Sequence, residues 1–249
     1  MRTIVIGDIH GCSAELSELL KKVDYNTQKD RLICVGDLLD KGPYGPEVVA
    51  MLKAYKADVV MGNHEEKFVR FHKHEMKRKA DPKHKNPMRF SEQKYRDYEI
   101  LVQTELIDWL ATFPSFIKLG DKMVVVHAGV VPGFPIERQD PKQTIRVRYL
   151  HKDTEKMMSL TEDLKRPPDS VFWTDRWRGP YHVIYGHTAH NLDNPAIEVN
   201  EHAAMFGIDT GCVYGGRLTA LILDENNKVS ETVQVQAKTQ YETYYLGAD

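Results

Sequence analysis

Residues 3–11 read Thr-Ile-Val-Ile-Gly-Asp-Ile-His-Gly, a β-rich run closed by glycine and followed at once by an aspartate and a histidine. The same grammar returns along the chain. Residues 33–40 read Ile-Cys-Val-Gly-Asp-Leu-Leu-Asp, and residues 59–64 read Val-Val-Met-Gly-Asn-His. Val124-Val125-Val126 leads directly into His127, and Val183-Ile184-Tyr185-Gly186 leads into His187. In an open α/β sheet, ligands bind beyond the carboxyl ends of the strands. Neighbouring strands lie about 4.8 Å apart, so side chains from adjacent ends can meet at one point. The glycines let the backbone turn sharply there and approach closely.

Outward from that first stretch, Leu16, Leu19, Leu20 and Val23 recur at helical spacing, with Ser13 as the expected N-cap and Glu15 in the first turn. Residues 31–35 read as a second strand. Pro46 suits a first helical turn, and Val48, Val49, Leu52 and Tyr55 follow on one face. Residues 58–61 make a third strand. Strands separated by helices of this length are βαβ units with parallel pairing, an α/β pattern. The middle changes character: residues 67–96 hold eleven Lys/Arg against three acids, a local charge of +8. Pro82, Asn86 and Pro87 break any helix there, so the stretch reads as a basic, partly mobile insertion in one domain spanning 1–249. A helix over about 92–112 follows, and β-rich runs come after Pro114 at 116–119, 123–126, 183–185, 205–208, 218–223 and 229–235.

The chain has 249 residues and a formal charge of −2, with 41% hydrophobic and 28% charged residues, which is globular composition. No apolar run approaches the ~18 residues of a membrane span. The amino terminus enters a strand at once, which leaves no room for a signal peptide. Cys12, Cys34 and Cys212 are an odd set without CxxC spacing, so neither a disulfide framework nor a zinc knuckle is expected. The expectation is a soluble, cytoplasmic protein with no membrane partner.

Two aspartates, an asparagine and three histidines form a mixed oxygen and imidazole donor set. Such a set suits Mn, Fe or Zn better than Ca, and the lack of thiolates argues against a structural zinc site. Six donors exceed the usual three of one catalytic metal. Two divalent ions sharing a carboxylate, roughly 3.5–4 Å apart, is the economical reading. Any one of these motifs alone reads more readily as a turn or a core histidine; five in one chain point to a shared metal site.

GDIHG (7–11), GDLLDKGP (36–43), GNHE (62–65), HAG (127–129) and GHT (186–188) resemble, in order, the motifs of the phosphoprotein-phosphatase-type metallophosphoesterases. The resemblance spans residue 7 to about 216. It implies the calcineurin-like fold, a central β-sandwich of two mixed sheets flanked by helices, in place of a simple parallel sheet. It also implies Asp8, His10 and Asp37 on a first metal, with Asp37 bridging to a second completed by Asn63, His127 and His187. Manganese is the first choice, with Fe, Zn, Co or Ni possible. His64 would be the general acid, its ring held by Asp40, and the nucleophile a metal-bridging hydroxide attacking in line. No Gly-x-Ser-x-Gly, Walker A or GxGxxG stretch supports a serine-nucleophile or P-loop alternative.

Four positions bear on the substrate phosphate. Asn63 is one. Lys41 stands where most of the family has arginine, and an ammonium cannot grip phosphate with a planar fork. The second phosphate arginine is expected at Arg176, with Arg178 as fallback. Tyr214 matches an aromatic near the family's site, though it could equally be core. The compact chain, Lys-Gly-Pro in the second motif and Asp-Thr-Gly-Cys-Val-Tyr-Gly at 209–215 resemble the ApaH-like branch most closely. That branch implies hydrolysis of phosphoanhydrides in dinucleoside polyphosphates or at RNA 5′ ends. The basic insertion could attract such a polyanion or serve only as a solvated lid. A phosphoserine/phosphothreonine protein phosphatase is the alternative. A silent interaction module is a remote one, disfavoured by the intact donor set.

Overall fold

A computed structural model describes residues 1–163 and 165–243; Leu164 and residues 244–249 of the expected domain lie outside the described residues. In chain order the elements are β1 (Arg2–Ile6), α1 (Ser13–Lys22), β2 (Asp30–Cys34), α2 (Gly45–Ala54), β3 (Asp58–Val59), α3 (Asn63–Ala80), α4 (Glu92–Gln103) and α5 (Leu106–Leu110). There follow β4 (Phe116–Leu119), β5 (Met123–Val126), α6 (Pro141–Thr144), β6 (Tyr149–His151), β7 (Met157–Met158) and β8 (Ser170–Phe172). The chain continues through β9 (His182–Tyr185), β10 (Ala196–Val199), β11 (Ala204–Gly207), β12 (Asp209–Thr210), β13 (Arg217–Leu223) and β14 (Val229–Gln236).

The two large sheets are mixed. The first runs β12-β13-β1-β2-β3, with β14 also paired to β13; the second runs β10-β11-β9-β5-β4. The parallel pairing read from the sequence holds for β1, β2 and β3. On its other edge β1 pairs antiparallel with β13, which no βαβ reading supplies. Period-two alternation then divides the core. Val5, Ile33 and Leu221 meet Val125 and Ile184 between the sheets, while Ile4, Ile6 and Ala220 face the opposite way into a cluster with the α1–α5 side chains. The helices α1–α5 therefore cover the first sheet. The outer face of the second sheet, with Val124, Val126, Val183 and Tyr185, packs instead against Trp173, Trp177 and Leu150. Leu150 belongs to a third, antiparallel sheet, β7-β6-β8, made of strands two or three residues long.

Two local expectations change. Cys12, not Ser13, occupies the N-cap of α1, and no side chain caps it. The start of the helix is set by the preceding loop, whose His10 and Gly11 N–H groups already donate to Asp37 and Leu38 carbonyls at 2.8 Å. The basic stretch is also more regular than its prolines imply, because α3 continues to Ala80 and leaves only 81–91 outside helix. Phe68 and Phe71 bury the inner face of α3, and Phe90 closes on them, stacked on Phe71 with ring centroids 3.9 Å apart. The expected single helix over 92–112 divides into α4 and α5 where Glu105 takes φ +57°.

Phe68 is fully buried and its helix begins at the Asn63–His64 pair. Phe68→Ala is expected to lower the unfolding free energy by about 3–5 kcal/mol in a denaturant titration, the cost of a large aromatic cavity.

Candidate metal centre

The carboxyl ends of β1, β2 and β3 in one sheet and of β5 and β9 in the other open onto a common edge. The side chain at its centre is Asp37. Its Oδ2 lies 3.5 Å from His10 Nε2 and 3.8 Å from His64 Nε2, and its Oδ1 lies 3.3 Å from His127 Nε2. Two triads, His10–Asp37–His64 with its last member half-buried and the fully buried Asp37–His127–His187, have ligand atoms within 4.8 Å of one another and could each hold a cation. Tautomers follow from the backbone. His127 Nδ1 lies 2.8 Å from the Val35 carbonyl and His10 Nδ1 lies 3.1 Å from the Leu39 carbonyl. Each Nδ1–H donates there, so Nε2 is the nitrogen turned toward Asp37, as second-shell partners of metal-binding histidines commonly arrange. Asn63 Oδ1 sits 2.9 Å from His127 Nε2.

Charge and burial fit divalent ions. Both ring nitrogens of His187 are buried without a hydrogen-bond partner, in a residue only 2% exposed. Burial, with Arg148 and His127 nearby, holds this imidazole well below its usual pKa, in the neutral form a metal takes. Burial and the carboxylates of Asp209 and Asp37 push Asp8 well up. Burial would raise Asp37 too, yet the imidazoles of His127, His64 and His10 hold it well below the carboxylate range. Asp8 stands outside both triads; its two oxygens accept the His187 N–H at 3.0 and 3.2 Å.

His64 is placed differently from the other histidines. Its Nδ1 is 2.8 Å from Asp40 Oδ2. Burial works against the Asp40 carboxylate, but His64 and Lys94 outweigh it and keep Asp40 well below its ordinary pKa. The site is held in costly backbone: His10, Asp37, Asp40, Lys41 and His187 all sit at φ between +44° and +72°. Glu65 helps to fix this. Fully buried, it accepts the Asp37 N–H at 2.8 Å and the Leu38 N–H at 2.9 Å. Burial and the Asp37 charge push its pKa up to about 7. Two glycines are required by close approach. A Cβ on Gly62 would fall 2.3 Å from Asp37 Oδ1, and one on Gly186 would fall 1.9 Å from Asp8 Oδ1.

On the substrate side, Lys41 donates to the Tyr214 hydroxyl at 2.6 Å and lies 5.0 Å above its ring. Tyr214 is thus both a core residue and a partner of Lys41. Asn63 and His187 border a cavity of about 350 Å³ that also contains Arg146, Arg148, Met157 and Leu160. Arg148 is buried and donates to the His187 carbonyl at 3.3 Å, while Arg146 pairs with Glu66. Arg176 and Arg178, expected at the phosphate, instead line a separate cavity of about 600 Å³ with Phe134, Trp177 and Tyr181. Arg176 donates there to the Lys152 carbonyl at 2.9 Å. Trp173 and Arg148 are joined across the small sheet, Trp173 N–H to Arg148 O at 3.0 Å, so the arginine beside His187 comes from the neighbouring strand's start rather than from the Trp173 turn. Glu65 had a signal in Gly-Asn-His-Glu; Arg148 had none beyond the alternation Arg146-Val147-Arg148.

The Calcineurin-like phosphoesterase family matches residues 1–227, and the chain belongs to it. It is therefore a hydrolase of a family that works with divalent metal ions. Among its relatives is a protein named bis(5′-nucleosyl)-tetraphosphatase PrpE (asymmetrical) of Anoxybacillus flavithermus, 31% identical over 95% of both chains. A symmetrical bis(5′-nucleosyl)-tetraphosphatase of Vibrio parahaemolyticus is 29% identical, covering 89% of this chain and 95% of its own. A crystal structure described as a candidate diadenosine tetraphosphatase superposes with TM-score 0.71 at 30% identity, covering 95% of this chain and 93% of that one. Among the described residues no helix is long and apolar enough to cross a membrane.

Glu65→Gln retains shape but supplies one acceptor oxygen where two N–H groups need partners. Its expected effect is a loss of about 10–100-fold in Mn²⁺ affinity by equilibrium dialysis, the usual scale for an outer-shell partner.

Proposed function

We propose that the chain acts as one metallophosphoesterase domain that hydrolyses a phosphoanhydride bond of a dinucleoside polyphosphate, using two divalent ions, manganese foremost. Asp8, His10 and Asp37 would hold one ion; Asp37, Asn63, His127 and His187 would hold the other. The observation that carries this reading is the single Asp37 carboxylate, whose two oxygens face imidazoles reaching in from different sheets. When bound, such ions supply Lewis-acid charge to phosphoryl oxygens and lower the pKa of water.

The chain's own groups have separate tasks. His64 delivers a proton from Nε2 to the leaving oxygen, while Asp40, 2.8 Å from Nδ1, fixes the orientation of the ring. Lys41, steadied by the Tyr214 hydroxyl, brings a point charge to the phosphate. Arg148 offers the planar fork that Lys41 lacks, and its place beside His187 favours it over Arg176 for that task. Asn63 contributes its amide to the same anion. The names of the relatives support a dinucleoside polyphosphate substrate. Three buried, unpaired thiols support a reducing, cytoplasmic setting.

With manganese-reconstituted protein, diadenosine tetraphosphate should turn over faster than a phosphopeptide. Initial rates favouring the phosphopeptide tenfold or more would reverse the assignment toward a protein phosphatase. Chelation should abolish both rates and added Mn²⁺ restore them. His64→Asn should lower kcat by about 10²–10⁴-fold, the range for a general acid, with metal content intact. Loss of metal in that variant would make His64 a ligand instead.

A further inference from the structure

Two lysines of the basic stretch have no part in the chemistry above, yet they converge on it. Lys94, at the start of α4, places Nζ 2.8 Å from Asp40 Oδ2, the same oxygen that meets His64 Nδ1 at 2.8 Å. Lys67 lies one turn into α3 beyond the Asn63–His64 pair and is half-buried. Burial and the Lys94 ammonium together push the Lys67 pKa down, with Asp40 opposing them. Lys67 forms no ion pair among the described residues, whereas Arg70, a turn further along α3, is bound to Glu66 at 3.0 Å. Asp40 thus meets both an imidazole and the Lys94 ammonium at contact distance, with Asp97 of α4 the next carboxylate. Both lysines are half-buried, so solvent only partly screens their repulsion.

We propose that Lys67 and Lys94 form an anion subsite for the leaving half of the substrate, taking the phosphates beyond the scissile bond when the leaving group is an oligophosphate. The subsite rests on the phosphoanhydride reading and adds its location. The pair stands on the His64–Asp40 side of the centre, where the leaving oxygen receives its proton. An oligophosphate arriving there brings negative charge to the two lysines. A simple aryl leaving group brings none, so the lysines discriminate between the two classes. Arg146 and Arg148 lie in the cavity beside Asn63 and His187, so each half of a polyphosphate has its own cationic lining.

Lys67 carries the test, because altering Lys94 would also disturb Asp40. In Lys67→Met the ratio of KM for diadenosine tetraphosphate to KM for p-nitrophenyl phosphate should rise about tenfold, the scale of one charge-assisted hydrogen bond. Lys67→Arg should restore the ratio. A ratio unchanged in Lys67→Met would overturn the subsite, as would failure of arginine to rescue a raised ratio. Inorganic tripolyphosphate, as a competitor of aryl phosphate hydrolysis, tests the lysines without the nucleotide. Its inhibition should weaken in Lys67→Met by more than that of inorganic phosphate, and equal weakening would overturn the subsite. A wild-type protein inert toward diadenosine tetraphosphate but inhibited by tripolyphosphate through Lys67 would sink the substrate assignment and leave the subsite standing.

Discussion

A buried carboxylate between two sheets is the constraint on which this molecule turns. Asp37 leaves β2 in left-handed backbone and must present one oxygen toward His10 and His64 and the other toward His127. Holding it there takes more than the strand. Glu65 ties down the Asp37 and Leu38 N–H groups from α3, and Gly62 leaves room for both carboxylates. His127 reaches across from the second sheet to the Val35 carbonyl. The inter-sheet core of Val5, Ile33, Val125 and Ile184 keeps the two strand ends at this spacing. A shift of either sheet would part the donors.

The electrostatics of the centre suit a receptacle for positive charge. Burial and the neighbouring carboxylates of Asp209 and Asp37 drive Asp8 upward, while His187 is kept neutral with both nitrogens idle. Strained backbone at five of the surrounding residues adds a cost of order 1–3 kcal/mol each. A fold tolerates such a concentration of unfavourable local terms when a packed frame over-determines the geometry and a ligand returns the difference on binding.

The sequence displayed the centre more fully than the frame. Each candidate group at a strand end is announced by a glycine or a β-rich run, because these side chains sit at strand termini where the hydrophobic period stops. Asp8, His10, Asp37, Asn63, His64, His127 and His187 were therefore legible. What one sequence conceals is partnership between distant segments. The β1–β13 pairing leaves no local mark. The β6–β8 sheet is made of strands too short to show a period, and it decides that Arg148, not Arg176, stands beside His187. The turn at Trp173 looked like the source of an arginine because residues near in sequence are easier to associate than residues near in a ladder. The prolines at 82 and 87 signalled a break, but not that Phe68, Phe71 and Phe90 would bind the flanking segments into the core. Lys94 was counted as one charge among many until α4 brought it to Asp40.

The pairing of β1 with β13 also bears on synthesis. β1 waits for a neighbour more than 200 residues downstream, Thr3 opposite Leu223 and Ile6 opposite Ala220. Glu15 in α1 likewise accepts the Lys238 N–H and the Tyr241 hydroxyl. A nascent polypeptide that carries every donor through His187 still lacks the strand that closes its first sheet. Assembly of the candidate centre is thereby deferred until β13 has been made, and so long-range a closure belongs with the slower-folding topologies.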